Sequence, residues 1–140
     1  MKKVSLSLTV LFILITTFAT RAQTGSSAPT YENLSKAKTE VYYFHYSRRC
    51  ATCLAVEDET RQILNDLYPE QMKSGEIIFL SLNLEEETNV PLAERVGADG
   101  QTLVVVKGDK TRNLTNTAFM YVRTKPEKLK EAIKQAVEEL

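Results

Sequence analysis

The sequence predicts an α/β domain in which a central mixed sheet of about four strands is flanked by helices. In the first part of the domain, short runs of apolar, β-branched and aromatic residues alternate with amphipathic segments, an order typical of parallel strands joined by helices. A turn between two strand-like runs and a last amphipathic segment then predict a hairpin followed by a helix. The expected order of elements is β-α-β-α-β-β-α.

Residues 1–22 have the layout of a secretory signal. Two lysines precede an apolar stretch over residues 4–18, and Thr20-Arg21-Ala22 offers small residues at the two positions that signal peptidase reads. The stretch is shorter than the ~20 residues that span a bilayer as a helix. We expect cleavage before Gln23 and a periplasmic or secreted protein with no stable membrane span. An uncleaved N-terminal anchor is the alternative.

The mature chain is predicted to contain one domain. Residues 23–37 include a run of small polar residues without periodicity and are interpreted as a flexible lead-in, so the domain is expected over residues 38–140. Loss of the signal removes three of the 18 basic residues and none of the 18 acidic ones, which leaves a net charge of −3. Because nucleic-acid binding requires a basic patch or stripe, we expect no nucleic-acid partner.

Four strands are predicted from composition and turn signals. The runs Val41–Tyr46 and Ile77–Leu82 have the nearly continuous apolar character of buried strands, and Leu103–Val106 predicts a third. Gly108-Asp109 is a turn that favours an antiparallel partner beginning near Arg112.

The helices are predicted from 3.6-residue periodicity. One is expected from Cys50 to near Tyr68-Pro69, and a short one over Pro91–Val96. Residues 113–123 suit either a strand or a short helix. Thr124-Lys125-Pro126-Glu127 has the form of a capping box and predicts the start of the last helix. The apolar face of that helix is predicted to contain Leu129, Ala132, Ile133, Ala136, Val137 and Leu140.

The chemistry of the chain is expected at Cys50-Ala51-Thr52-Cys53. A cysteine at a helix N-terminus faces unsatisfied N–H groups and the positive end of the helix dipole, and both favour the thiolate. Arg48 and Arg49 add two cations beside it. We therefore expect a Cys50 pKa within the ~3.5–7.5 range of activated thiols, well below the free value of about 8.5. The alternative for the two arginines is a solvated loop.

This order of elements, with C-x-x-C opening the first long helix, resembles the thioredoxin superfamily over about residues 38–140. The chain resembles the small exported thioredoxin-like proteins of some bacteria more than it resembles thioredoxin. The resemblance implies that Cys50 is the nucleophile and Cys53 the resolving thiol. It also implies that Gln101 stands where thioredoxins have a cis-proline facing the dithiol, so that Gln101 and Thr102 form a substrate-facing loop.

The chain departs from the thioredoxin pattern at two further positions. Arg49 replaces the tryptophan that usually precedes the first cysteine, and Phe44 stands at the position of the buried carboxylate. Together with Gln101, these departures affect substrate docking and proton handling, whereas the dithiol is intact.

The function expected from these residues is that of a thiol–disulfide oxidoreductase without a cofactor. Its partners would be exported proteins with thiols or disulfides and an unidentified redox partner. The alternative is a non-catalytic module that binds a partner or a soft metal ion such as Cu(I), with His45, Cys50 and Cys53 as ligands. A structural disulfide and a purely structural His45 are also open.

Overall fold

The computed structural model describes residues 37–140. The predicted signal and nearly all of the predicted lead-in lie outside these residues. Within them, no helix is long and apolar enough to cross a membrane.

Four strands form one mixed sheet in the order β2-β1-β3-β4. Strand β1 pairs parallel to β2 and antiparallel to β3, and β3 pairs antiparallel to β4. The predicted mixed sheet of about four strands is thereby confirmed. The strands are β1 (Thr39–His45), β2 (Ile77–Asn83), β3 (Thr102–Lys107) and β4 (Lys110–Asn113).

Over residues 37–140, five α-helices and one 3-10 turn flank or connect the strands. The predicted first helix, the short helix before β3 and the last helix are all present. The helices are α1 (Ala51–Leu67), α2 (Pro69–Ser74), α3 (Val90–Arg95), α4 (Thr115–Tyr121) and α5 (Pro126–Glu139), and the 3-10 turn covers Glu87–Asn89.

Three details of the predicted order change. Strand β4 begins at Lys110 rather than near Arg112, because the two-residue turn already brings Lys110 opposite Lys107. Helix α2 was not expected: Tyr68 ends α1, Pro69 occupies the first turn of the new helix, and Gly75, with φ of 77°, ends it. The ambiguous segment after β4 is mainly helical and contains α4.

The expected capping box of the last helix is wrong. Lys125 precedes α5 and makes no side-chain cap hydrogen bond. The hydroxyl of Thr124 instead donates to the carbonyl of Met120 at the end of α4, at 3.2 Å. The Thr124 hydroxyl is therefore bonded to α4 and is not available to cap α5. The predicted apolar face of α5 is confirmed, with Leu129, Ile133, Ala136 and Val137 buried and Ala132 and Leu140 partly buried.

Strand β1 separates two apolar clusters. Val41 and Tyr43 pack with side chains of α1, α4 and α5 on one face of the sheet, and Tyr42 and Phe44 pack with α3 on the other. All four side chains are fully buried. Burial on both faces explains why the strand is a continuous apolar run rather than an alternating one.

Replacing Ile133 with alanine tests the larger cluster. Ile133 is fully buried under the sheet, so Ile133→Ala should lower the free energy of unfolding by about 2–5 kcal/mol. Urea unfolding measures the change, and Lys134→Ala, at an exposed neighbouring position, should change it by less than about 0.5 kcal/mol. Equal effects of the two substitutions would contradict this packing.

Candidate active site

Cys50 is the N-cap residue of α1. Its backbone is extended, with φ of −89° and ψ of 162°, and its carbonyl accepts the first helical hydrogen bond from the N–H of Leu54 at 3.0 Å. Its Sγ accepts from the N–H of Cys53 at 3.0 Å. The sulfur thus takes the place that a serine or aspartate oxygen has in an ordinary N-cap.

The two cysteines form a disulfide but differ strongly in exposure. Cys50 lies at the exposed end of the helix, whereas Cys53 is 2% exposed and faces the core. An external thiol or disulfide can therefore reach Cys50 and not Cys53.

The sheet order and the dithiol together identify the fold. A central β1, parallel to β2 and antiparallel to β3, runs into a loop and then into a long helix that opens with the two bonded cysteines. The described domain has a thioredoxin-like fold.

No protein-family model and no curated protein matches the chain. Among solved structures, the thioredoxin-like domain is similar to the zinc-bound form of human ERp44, with 13% sequence identity and a TM-score of 0.46. The match covers 71% of this chain and 30% of the ERp44 chain. The chain therefore spans less than two thirds of the length of that protein.

Arg49 points into the domain and is paired there. One guanidinium nitrogen donates to Oε2 of Glu57 at 2.6 Å and lies 3.5 Å from the carbonyl of Cys53. The guanidinium carbon lies 5.5 Å from the centre of the Tyr43 ring. Arg48, in contrast, is exposed. The two arginines that the sequence places together thus differ: the charge of Arg49 is offset by Glu57, and Arg48 is the exposed one.

Glu57 is a site residue that the sequence analysis missed. It lies one turn after Cys53 on α1, and it also pairs with Arg61 at 3.2 Å. Burial by itself raises the pKa of Glu57, but the hydrogen bonds of Arg49 and Ser81 and the charges of Arg49 and Arg61 together outweigh burial and hold that pKa below its usual value of 4.5. Glu57 is therefore an ionised partner of Arg49 at neutral pH.

Gln101 faces the buried cysteine. It is half-buried, and its Oε1 lies 3.3 Å from Sγ of Cys53. The described residues contain no cis peptide bond, so the backbone before Gln101 is trans where thioredoxins have a cis-proline. Thr102 lies in β3 opposite Phe44 and is 4% exposed, so the structure places it inside the sheet rather than in an open loop.

His45 is not brought into a metal site. Its Nδ1 lies 3.0 Å from the carbonyl of Tyr46, and its ring lies 6.0 Å from that of Tyr43, centre to centre. Over residues 37–140, no group of three His, Cys, Asp or Glu side chains could hold a metal ion. His45, Cys50 and Cys53 are therefore not assembled as the ligand set that the sequence allowed.

The loop between β1 and α1 is held by residues at and just after the end of β2. The amide of Asn83 donates to Oγ of Ser47 at 2.8 Å, and Oε2 of Glu85 accepts from the N–H of Ser47 at 3.0 Å. Hydrogen bonds from the side chain and the backbone N–H of Ser47 to the Glu85 carboxylate lower the pKa of Glu85. Neither contact was expected, because the sequence shows only a polar connection at this point. The two hydrogen bonds to Ser47 hold the loop that leads from β1 to Cys50.

Replacing Glu57 with glutamine tests the ion pair under the dithiol helix. Glu57→Gln keeps the side-chain shape and removes the charge that balances Arg49, so the free energy of unfolding at pH 7 should fall by about 1–3 kcal/mol. Since the folded-state pKa of Glu57 is lowered, its contribution is present above the unfolded pKa and is lost as the pH falls.

Urea unfolding of both proteins at several pH values provides the measurement. The difference between wild type and Glu57→Gln should shrink as the pH falls below 4.5. Asp58→Asn, which makes the same chemical change at an exposed neighbouring position, is the matched control and should have a small effect at every pH. A difference for Glu57→Gln that stays constant with pH would rule out an ionised pair.

Proposed function

We propose that the chain is a thiol–disulfide oxidoreductase acting on disulfides of exported proteins, with Cys50 as the nucleophile and Cys53 as the resolving thiol. The observation that carries this proposal is the difference in exposure between the two bonded cysteines at the start of α1. Disulfide exchange requires one sulfur that a substrate can reach and a second sulfur that reacts only within the protein.

The environment of Cys50 supports its role as the attacking group. In the disulfide-bonded structure, the N–H of Cys53 lies 3.0 Å from Sγ of Cys50 at the positive end of a 17-residue helix. Both features would favour a negative sulfur in the reduced protein. Exposed Arg48 adds a cation in the adjacent loop. Arg49 contributes less, because Glu57 neutralises it at 2.6 Å. The backbone of α1 is therefore the principal source of thiolate stabilisation.

The reaction proceeds through two exchanges. The Cys50 thiolate attacks one sulfur of a substrate disulfide, an S–S bond forms between Cys50 and the substrate, and the other substrate sulfur leaves as a thiolate that takes up a proton. Cys53 then loses its proton and attacks Sγ of Cys50, which releases the second substrate thiol. The protein ends with the Cys50–Cys53 disulfide, and two electrons have passed to the substrate. Run in reverse, the same steps oxidise a dithiol.

The site of action follows from the predicted signal. Export would place the dithiol in a compartment where disulfides persist. A second protein or small thiol of that compartment would return the pair to its starting redox state.

A purely structural role explains the dithiol less well. The bridge closes a segment of only four residues, which is worth about 2 kcal/mol by the loop-entropy estimate. An exposed N-cap sulfur is also poorly suited to a disulfide with a purely structural role. If the bridge were structural, glutathione would leave it intact.

Replacing each cysteine separately with serine tests the proposal. Cys50→Ser should abolish reduction of a disulfide-bonded protein substrate such as insulin, because no thiol remains within reach of the substrate. Cys53→Ser should lose turnover yet accumulate a mixed disulfide on Cys50, visible as an added mass that a reducing agent removes. Substantial activity in Cys50→Ser, or no adduct in Cys53→Ser, would contradict the assigned roles.

A further inference from the structure

The resolving cysteine has one polar side chain within hydrogen-bond distance in the described part of the chain, and that side chain is Gln101. Oε1 of Gln101 lies 3.3 Å from Sγ of Cys53. Cys53 is 2% exposed, so water has little access to its sulfur. The hydrogen-bonding environment of this sulfur is therefore set mainly by the Gln101 amide.

An amide is suited to a sulfur that changes its protonation state. In the disulfide, Sγ of Cys53 carries no proton, and the two groups are only in contact. In the reduced protein, Oε1 can accept from the S–H of Cys53. When Cys53 ionises, rotation of the amide presents Nε2–H as a donor to the thiolate. Hydrogen bonds to an ionised group are about twice as strong as neutral ones, so the amide favours the reactive form.

The charged side chains that are nearest to Cys53 in the sequence pair with each other rather than with its sulfur. Glu57, one turn further on α1, and Arg49, in the preceding loop, pair with each other at 2.6 Å. The contact of Arg49 with Cys53 is to its backbone carbonyl, at 3.5 Å. Gln101 thus supplies the donor that a buried thiolate needs.

We propose that Gln101 is a positioning residue for the resolving step: its amide holds Cys53 in both protonation states and assists the attack of Cys53 on the mixed disulfide. This inference rests on the proposed oxidoreductase function. It assigns Gln101 to the second exchange, whereas a substrate-contact role would assign it to the first.

A neutral dipyridyl disulfide separates the two exchanges. With one equivalent of reagent, attack by Cys50 on the reduced protein releases a first pyridinethione and leaves the second bound to Cys50 as a mixed disulfide. Attack by Cys53 then forms the Cys50–Cys53 disulfide and releases the second pyridinethione. Both releases are followed by ultraviolet absorbance in stopped flow, so each step has its own rate.

Gln101→Leu removes the amide and leaves an apolar side chain of similar volume. We expect the first release to stay within about twofold of wild type and the second to slow by about tenfold, the factor produced by losing one hydrogen bond to a charged group. Gln101→Glu keeps the shape but puts a negative charge beside the thiolate, so the second release should slow at least as much. Gln135→Leu makes the same change at an exposed position on α5 and should leave both releases unchanged.

The outcomes separate this inference from the function on which it rests. Slowing confined to the second release in both Gln101 variants, with folding confirmed by circular dichroism, supports the inference. Unchanged second release in Gln101→Leu, or slowing confined to the first release, overturns it while the oxidoreductase function stands. Absence of both releases in the wild-type protein would instead overturn the proposed function.

Discussion

The central position of β1 is the constraint on which the rest of the structure depends. The strand has a neighbour on each side and an apolar cluster on each face, so its side chains are fixed from four directions. Its end at His45 therefore has a defined position, and Asn83 and Glu85 hold the loop that follows at Ser47. Helix α1 can begin only where this loop ends. The location of Cys50 is thus a consequence of sheet packing.

The electrostatics of the site separate into a surface part and an interior part. At the surface, the exposed sulfur of Cys50 accepts a hydrogen bond from the N–H of Cys53, and exposed Arg48 lies in the loop that precedes it. Behind it, the half-buried pair formed by Arg49 and Glu57 has opposite charges that offset each other and joins the loop before α1 to the second turn of that helix. Such a pair orients the helix start without adding much net charge to the dithiol. This arrangement also gives Arg49 a structural reason to occupy a position where thioredoxins usually have tryptophan.

The elements that packing alone determines were predictable from sequence, and the contacts that depend on tertiary placement were not. Apolar runs and 3.6-residue spacing indicated the strands, α1 and the buried face of α5, because burial imposes those patterns directly. The capping box failed because Thr124 had a competing acceptor in α4 that no local pattern reveals. Glu57 looked like any charged residue of an amphipathic helix, and its role appears only when Arg49 folds back onto it. Gln101 was singled out by its place in the chain, but its distance to Cys53 required the structure.

The measurement that tests the account most directly is the thiolate titration of Cys50 in the reduced Cys53→Ser variant, followed by ultraviolet absorbance. That variant has a single thiol, so the curve belongs to Cys50 alone. Stabilisation by the start of α1 predicts a Cys50 pKa below about 7. A Cys50 pKa near the free value of about 8.5 would contradict the claim that the helix activates this sulfur.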